Sequence, residues 1–317
     1  MKFERGLEQL VRDPRSVVTV GTFDGLHRGH QAVLAYVRAQ AQQRGGISTV
    51  LSFDPHPREV LRGEPVPLLT TIEERAALLE AFGIDRFIVL PFTPELAAMS
   101  AIDFVEQVLV GRIGLQAVCV GYDHTFGRNR EGNVALLEAL GPRYGFAVDV
   151  IPPQVVNDRT VSSTLIRQLL LRDGAVEQAA RLLGRPYSLQ AVVVRGDGRG
   201  RLIGFPTANL HAAHPRKIIP RNGVYAVRVW LADQPSWLGG MMNIGMRPTF
   251  EGDRRTLEVH ILEFEDNLYG KLMRIDFIAR LRDEQRFETV EALRAQLFRD
   301  RQRCIEVLQT SPEDLRF

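Results

Sequence analysis

The feature that most constrains the fold is a change of hydrophobic periodicity at Leu183-Gly184-Arg185-Pro186. Up to that point short β-branched runs alternate with longer stretches of helical period, a pattern that buries a parallel sheet between layers of helices. Strands are expected at Val17 to Val20, Ser48 to Phe53, Phe87 to Leu90, Ala117 to Val120 and Ala147 to Ile151, with helices near 30 to 43, 73 to 82, 101 to 110 and 133 to 140. Thr71 and Ser100 suit the starts of two of them, because their hydroxyls can accept from otherwise unpaired helix N–H groups. Beyond the break, runs of period 2 (Leu189 to Val194, Val224 to Trp230, Leu257 to Phe264, Leu272 to Ile278) are separated by Gly, Pro and Asn clusters, which predicts a compact antiparallel barrel. A last helix, Val290 to Leu308, aligns Val290, Leu293, Leu297, Ile305 and Leu308 as an apolar stripe to cover it. The expectation is an α/β chain, with a doubly wound parallel-sheet domain over 1–184 and an antiparallel β-barrel domain with a C-terminal helix over 185–317.

Composition narrows the function. The 317 residues, 45% apolar and 25% charged, suffice for two full cores, and a formal net charge of +2 is too small for a nucleic-acid stripe. The arginines near the end (Arg294, Arg299, Arg301, Arg303) are interleaved with Asp300 and Glu306, as on a solvated helix face. Cys119 lies in an apolar run and Cys304 on a helix, which reads as buried thiols rather than a disulfide framework and suits a reducing cytoplasm. The opening Met1-Lys2-Phe3-Glu4-Arg5-Gly6 lacks the apolar core of a signal peptide, and no apolar run approaches about 18 residues. A soluble, cytoplasmic protein acting on small molecules, without nucleic-acid or membrane partners, is expected.

Ligands of doubly wound sheets collect beyond the carboxyl ends of the strands, and three motif loops fall there. The first strand runs into Gly21-Thr22-Phe23-Asp24-Gly25-Leu26-His27-Arg28-Gly29-His30. Glycines let backbone approach a ligand, the helix from Gly29 to Gln43 aims unpaired N–H groups at an anion, and His27 and His30 can donate to the same anion. Two histidines alone would equally suit an ordinary loop; the glycines and the preceding strand favour a phosphate site. Asp54-Pro55-His56-Pro57 and Gly121-Tyr122-Asp123 share the same rim. No GxxxxGK sequence followed by Ser or Thr occurs, so a P-loop is excluded.

In the second half, Gly196-Asp197-Gly198-Arg199-Gly200 precedes Gly204-Phe205-Pro206-Thr207-Ala208-Asn209-Leu210. A hydroxyl and an amide oxygen two residues apart suit Mg²⁺, which prefers oxygen and borrows further ligands from phosphates, although Thr207 and Asn209 taken alone read more readily as a turn.

His27-Arg28-Gly29-His30 resembles the HxGH loop of the nucleotidylyltransferase superfamily, whose histidines steady a triphosphate as its α-phosphate is attacked. Pro206-Thr207-Ala208-Asn209 resembles the PTAN signature of riboflavin kinases. It is followed in order by Asn222-Gly223-Val224-Tyr225-Ala226, Gly245-Met246-Arg247-Pro248-Thr249-Phe250, Leu257-Glu258-Val259-His260, Leu268-Tyr269-Gly270 and Leu281-Arg282. Together the halves resemble the bacterial bifunctional riboflavin kinase and FMN adenylyltransferase (FAD synthetase) family, with Ser162-Ser163-Thr164-Leu165-Ile166-Arg167 as a further landmark. The resemblance implies Mg²⁺, ATP as co-substrate, and riboflavin, FMN and FAD as substrates or products. It implies charge stabilisation by His27, His30 and Arg167, phosphate contacts from Ser163 and Thr164, Mg²⁺ and ATP on Thr207 and Asn209, and Glu258 as base on the ribityl hydroxyl. Gly21, Thr22, Phe23, Asp24, Gly29, Asp123 and Gly198 join the substrate- and nucleotide-binding set. The chain departs from the family pattern at His124-Thr125, Gln190, Arg195 and Asn267. Other readings are a nucleotidylyltransferase for a different phosphate ester, with the barrel a flavin-binding module, or a small RNA-binding barrel; a synthetase acting on tRNA lacks its KMSKS-like segment here.

Overall fold

Both faces of the first sheet carry apolar side chains, and helices cover them. The computed structural model describes residues 1–8, 10–151, 155–156, 159–196, 198–249 and 252–311; Asp197 and Phe250 of the sequence motifs lie outside them. The chain divides into two compact units, one covering Met1–Ser162 and one beginning at Ser163.

In the first unit, β1 (Lys2–Arg5), β2 (Ser16–Val20), β3 (Ile47–Asp54), β4 (Arg86–Pro91), β5 (Leu115–Gly121) and β6 (Ala147–Ile151) form a wholly parallel sheet in the order β1-β4-β3-β2-β5-β6. Two short strands, β7 (Val155–Val156) and β8 (Arg159–Thr160), pair separately. The helices are α1 (Arg28–Gln43), α2 (Pro57–Arg62), α3 (Ile72–Ala81), α4 (Pro94–Ala98), α5 (Ala101–Asp103) and α6 (Val134–Tyr144). Thr71 closes a reciprocal capping box with Glu74, and Ser100 caps α5, as their positions predict. Alternation along β2 sends Val18 into one core with Leu51, Ile88, Val105 and Leu109, and Val17 into another with Val37, Ala41 and Ala117.

Among the elements that differ from the sequence expectation, two bear on the sheet and its core. The helix expected over 101–110 continues as a π-helical segment, Phe104–Ile113, whose wider turn directs Phe104, Val105, Val108, Leu109 and Ile113 into the core. Strand β1 carries no strand signal of its own, because charged residues surround its single apolar Phe3. Its anchor is electrostatic: Arg86 Nε donates to Glu4 Oε2, Lys2 Nζ lies 2.9 Å from Glu4 Oε1, and Arg86 Nη2 donates to Val11 O at 2.8 Å.

The second unit opens with α7 (Ser163–Gln168), a π-helical turn over Leu169–Asp173 and α8 (Val176–Leu183). Then come β9 (Tyr187–Val194), α9 (Arg199–Leu202), β10 (Ala208–Ala212), β11 (Gly223–Leu231), β12 (Leu238–Thr249), β13 (Gly252–Ile261), β14 (Leu272–Arg282) and α10 (Val290–Thr310). The six strands close an antiparallel barrel in the order β10-β13-β12-β11-β14-β9. Strands β10 and β12 add to the four expected. Gly239 and Gly240 make the start of β12 read as a turn, but a Cβ on Gly240 would lie 3.1 Å from a Val259 methyl and 3.2 Å from methyls of Val227 and Val229. The glycine is there for close packing. Inside the barrel Tyr225 meets Phe277 edge-on at 5.4 Å.

The stripe assigned to the last helix is corrected in one respect. Val290 is 57% exposed, and the residues of α10 that are buried are Asp300, Cys304 and Leu308. A carboxylate sits in the seam because Arg282 of β14 reaches it, Nε donating to both Asp300 oxygens at 3.1 and 2.9 Å, with Gln296 Nε2 adding a bond of 2.7 Å.

Burial pushes the Glu4 carboxyl up, but bonds from Arg86 and Lys2 outweigh it and hold the group below its usual 4.5. A carboxyl whose folded pKa is depressed stabilises the fold above its unfolded value, and that contribution is lost as pH falls through the folded one. Urea denaturation should show stability falling on acidification below about pH 4.5, with that part of the loss flattened in Glu4→Gln. Arg86→Ala, which strands a buried carboxylate, should cost about 3–5 kcal/mol at neutral pH.

Candidate active sites

The strand order of the first unit reverses between β2 and β5, and a doubly wound sheet opens a crevice at such a point. The loop leaving β2 borders it. Phe23 (φ 47°) and Leu26 (φ 38°) both adopt left-handed backbone there, each costing about 1–3 kcal/mol unless the surroundings enforce it. Asp24 does the enforcing. Its carboxylate is wholly buried and accepts from Leu69 N at 3.0 Å, Thr70 N at 2.8 Å and Thr70 Oγ1 at 3.0 Å, with Arg75 Nη2 3.5 Å away. Thr70 Oγ1 also accepts from Gly25 N at 2.9 Å, and Ser52 Oγ donates to Thr22 O at 3.2 Å. Asp24 thus clamps the turn from beneath.

The clamp sets the start of α1. His27 is its N-cap, with Nδ1 accepting from His30 N at 3.3 Å, so a neutral His27 carries its ring proton on Nε2. The two imidazoles stack with centroids 3.6 Å apart. Burial, then His27, then Arg75 push the His30 pKa well below its usual value, so His30 is a neutral N–H donor at neutral pH. His30 Nδ1 is shielded from solvent with no hydrogen-bond partner among the described residues. A Cβ on Gly29 would lie 3.2 Å from His27 Nδ1, so glycine at that position leaves the ring its room. Gly21, at the end of β2, donates to Leu51 O at 3.0 Å.

The other rim loops are also held. His56 caps α2 by accepting from Arg58 N at 3.1 Å. Asp123 is exposed in the turn after β5, and beside it His124 stacks on Phe126 at 5.9 Å. Burial lowers the His124 pKa against the pull of Asp123. Phe126 exchanges backbone bonds of 3.1 and 2.9 Å with Gly132, which closes that loop on itself. Ser163, Thr164 and Arg167 stand on α7, the first helix of the second unit, with Thr164 exposed and the other two half-buried.

In the barrel, register assembles the second set. Asn209 of β10 lies directly opposite Glu258 of β13, and Asn243 of β12 flanks Glu258 on the other side. Residues directly opposite in antiparallel strands share a face with Cβ atoms about 5 Å apart. Thr207 Oγ1 donates to Glu258 Oε2 at 3.4 Å, so the hydroxyl, the amide and the carboxylate converge. The Asn209 amide lies across Gly196, where a Cβ would be 2.0 Å from Nδ2. Gly198 takes φ 69° at the start of α9. A cavity of about 590 Å³ adjoins Thr207, bounded also by Arg201, Val259, Glu265, Asn267 and Tyr269, a size suited to a nucleotide. Asn267 Oδ1 accepts from Tyr269 N at 3.0 Å, an Asx turn that an aspartate would make equally.

Sequence reading missed Thr70 and Arg75 as supports of the first site, since no local signal links Asp24 to Thr70, 46 positions further on, or to Arg75 beyond it. It also left His260 without a role, although the residue stands two places from Glu258 on the same strand face.

Comparison with known proteins fits this geometry. A family profile described as FAD synthetase matches residues 10–165, and one described as riboflavin kinase matches residues 183–308. The chain is 39% identical to the bifunctional riboflavin kinase/FMN adenylyltransferase of Pseudomonas fluorescens over 302 residues, covering 95% of this chain and 96% of that one. With the protein of the same name from Escherichia coli K12 it shares 38% identity over 304 residues, with the same coverage. A Streptococcus pneumoniae crystal structure described as a macrolide-efflux protein superposes with a TM-score of 0.86 at 30% identity, over 98% of this chain and 100% of that one. That description is its own; among the described residues here, no helix is long and apolar enough to cross a membrane. Fold and profiles together define a nucleotidylyltransferase sheet joined to a riboflavin kinase barrel. The chain belongs to the bifunctional riboflavin kinase/FMN adenylyltransferase family, and the reading as a transferase for another phosphate ester is not favoured.

Replacing Asp24 by Asn keeps one acceptor oxygen but turns an NH2 group toward the donor on the other side, the Leu69 or the Thr70 amide, and removes the negative charge facing Arg75. Asp24→Asn should therefore lower stability by about 3–5 kcal/mol in denaturant titration, whereas Asp123→Asn, at an exposed position, should change it by less than about 0.5 kcal/mol.

Proposed function

We propose that the chain makes both flavin cofactors in succession, with a separate phosphate-handling site for each step. Residues 185–317 transfer the γ-phosphoryl of ATP to the 5′-hydroxyl of riboflavin, giving FMN. Residues 1–184 transfer AMP from a second ATP to FMN, giving FAD and releasing pyrophosphate. The observation that carries this reading is the convergence of Thr207, Asn209 and Glu258 in one unit, apart from the stacked His27–His30 pair at a helix start in the other.

In the kinase step Glu258 accepts the ribityl proton, a role open to a carboxylate held within hydrogen-bond reach of the alcohol. The Thr207 hydroxyl and Asn209 amide oxygen are hard donors that fit Mg²⁺, which when bound supplies charge shielding on the ATP phosphates. Gly198, in the loop leading to α9, leaves room for the phosphates. In the adenylyl step the FMN phosphate is already an anion and needs no base. His27 and His30 act as N–H donors to the charge that builds on the α-phosphate and the departing pyrophosphate, and the low pKa of His30 supports a neutral ring in that role. Arg167 positions the leaving group, and Ser163 and Thr164 contact phosphate oxygens. Gly21, Thr22, Phe23, Gly29 and Asp123 line the nucleotide and flavin side, while Asp24 serves through the backbone it holds. The two thiols, buried and free, support work in a reducing cytoplasm.

Incubation with riboflavin, ATP and Mg²⁺, followed by separation of the flavins, should yield FMN and FAD; failure to form either would remove the reading. Asn209→Ala and Glu258→Ala should each cut FMN formation by at least about 100-fold while FMN-to-FAD conversion survives, and His30→Ala should do the reverse. Gly29→Ala, which crowds the His27 ring, should slow FAD formation by about tenfold or more with riboflavin phosphorylation unchanged.

A further inference from the structure

We propose that His260 is a positioning residue for riboflavin phosphorylation, holding the Pro206-Thr207 backbone so that the Thr207 hydroxyl faces Glu258; this deepens the kinase assignment above and rests on it. The regular pairing of β10 with β13 covers only Ala208 with Val259 and Asn209 with Glu258. One step further, where Thr207 would oppose His260, the ladder has ended, and Pro206 brings no N–H to any ladder. A side chain takes over. His260 Nδ1 lies 2.8 Å from Pro206 O. A carbonyl can only accept, so Nδ1 carries the proton.

The ring is held from its other side. Phe205 packs edge-on to His260 at 5.2 Å and to Phe298 of α10 at 5.1 Å. Phe205 is buried, and Phe298 is half exposed at the outer edge of the stack. A continuous path therefore runs from α10 through two phenylalanines and an imidazole to the carbonyl bonded directly to the Thr207 nitrogen. Glu258 and His260 are two residues apart on β13 and share a face, so one strand carries both the carboxylate and the group that aims the hydroxyl at it. At 3.4 Å the Thr207–Glu258 bond is long, and a turn of an unanchored Pro206 carbonyl would carry the hydroxyl out of reach.

The proton on Nδ1 is present in the imidazolium and in the neutral Nδ1–H tautomer alike. A positioning His260 therefore leaves the acid limb of the kinase pH profile unmoved when it is replaced, which separates it from a proton-transfer role.

The test compares His260→Phe, which keeps the ring and loses the donor, with His260→Asn, which restores an N–H near the Nδ1 position. Full-length protein is assayed for both steps, and thermal melting is followed. His260→Phe should raise KM for Mg·ATP by about tenfold with a smaller fall in kcat. The acid limb and FMN-to-FAD conversion should stay as in wild type, and His260→Asn should recover a large part of the loss. Wild-type kinase constants in a folded His260→Phe would overturn the proposal, as would equal defects in both variants, which would assign the effect to packing. A displaced acid limb would also overturn it, in favour of acid–base chemistry. If wild type itself forms no FMN while making FAD from added FMN, the kinase reading fails, an outcome distinct from any of these.

Discussion

The buried carboxylate of Asp24 is the contact on which the turn after β2 depends. Two left-handed non-glycine residues, Phe23 and Leu26, are tolerated in one short turn because Leu69, Thr70 and Arg75 all converge on that single group. The start of α1 is fixed as a consequence. His27 arrives at its cap with Nδ1 engaged, and the ring stacks on His30, so both imidazoles stand together at the mouth of the helix. Burial keeps His30 uncharged, so in the proposed adenylyl step it meets phosphate through its N–H dipole and the helix start rather than through net positive charge.

The barrel brings its candidate site together by a different device. Antiparallel register fixes Asn209 against Glu258 without any strained backbone, and the loop ahead of β10 delivers Thr207 to the same carboxylate. Strand geometry gives precision to the two residues inside the ladder, whereas Thr207, just outside it, relies on side-chain support from the His260 and Phe205 stack. The seam of α10 follows a similar logic, since its central Asp300 is held by Arg282 rather than by apolar packing.

Much of this is legible in the chain. The switch from 3.6-residue to two-residue periodicity separates sheet from barrel, and the Gly21–His30 and Pro206–Asn209 stretches point to the two candidate sites. The remainder is hidden for identifiable reasons. Strand β1 is held by Glu4 and Arg86 across 82 positions, and no local pattern encodes such a pair. Strand β12 begins with two glycines that read as a turn, yet Leu262 and Leu308 crowd a Cβ at Gly239 and valine methyls of the barrel crowd one at Gly240. Asp24 reads from the sequence as a member of the nucleotide-binding loop, not as a clamp beneath it. Its structural weight comes from Thr70 and Arg75, which the fold brings to it, just as the fold brings His260 to Pro206.

If two independent sites act in succession through free FMN, two single-site variants complement each other in one solution. His30→Ala and Glu258→Ala proteins, each unable to carry riboflavin to FAD alone, are combined with riboflavin, ATP and Mg²⁺, and FAD is measured. The predicted result is that the mixture makes FAD, one variant supplying FMN and the other adenylylating it. No FAD from two folded variants in one solution would contradict the claim.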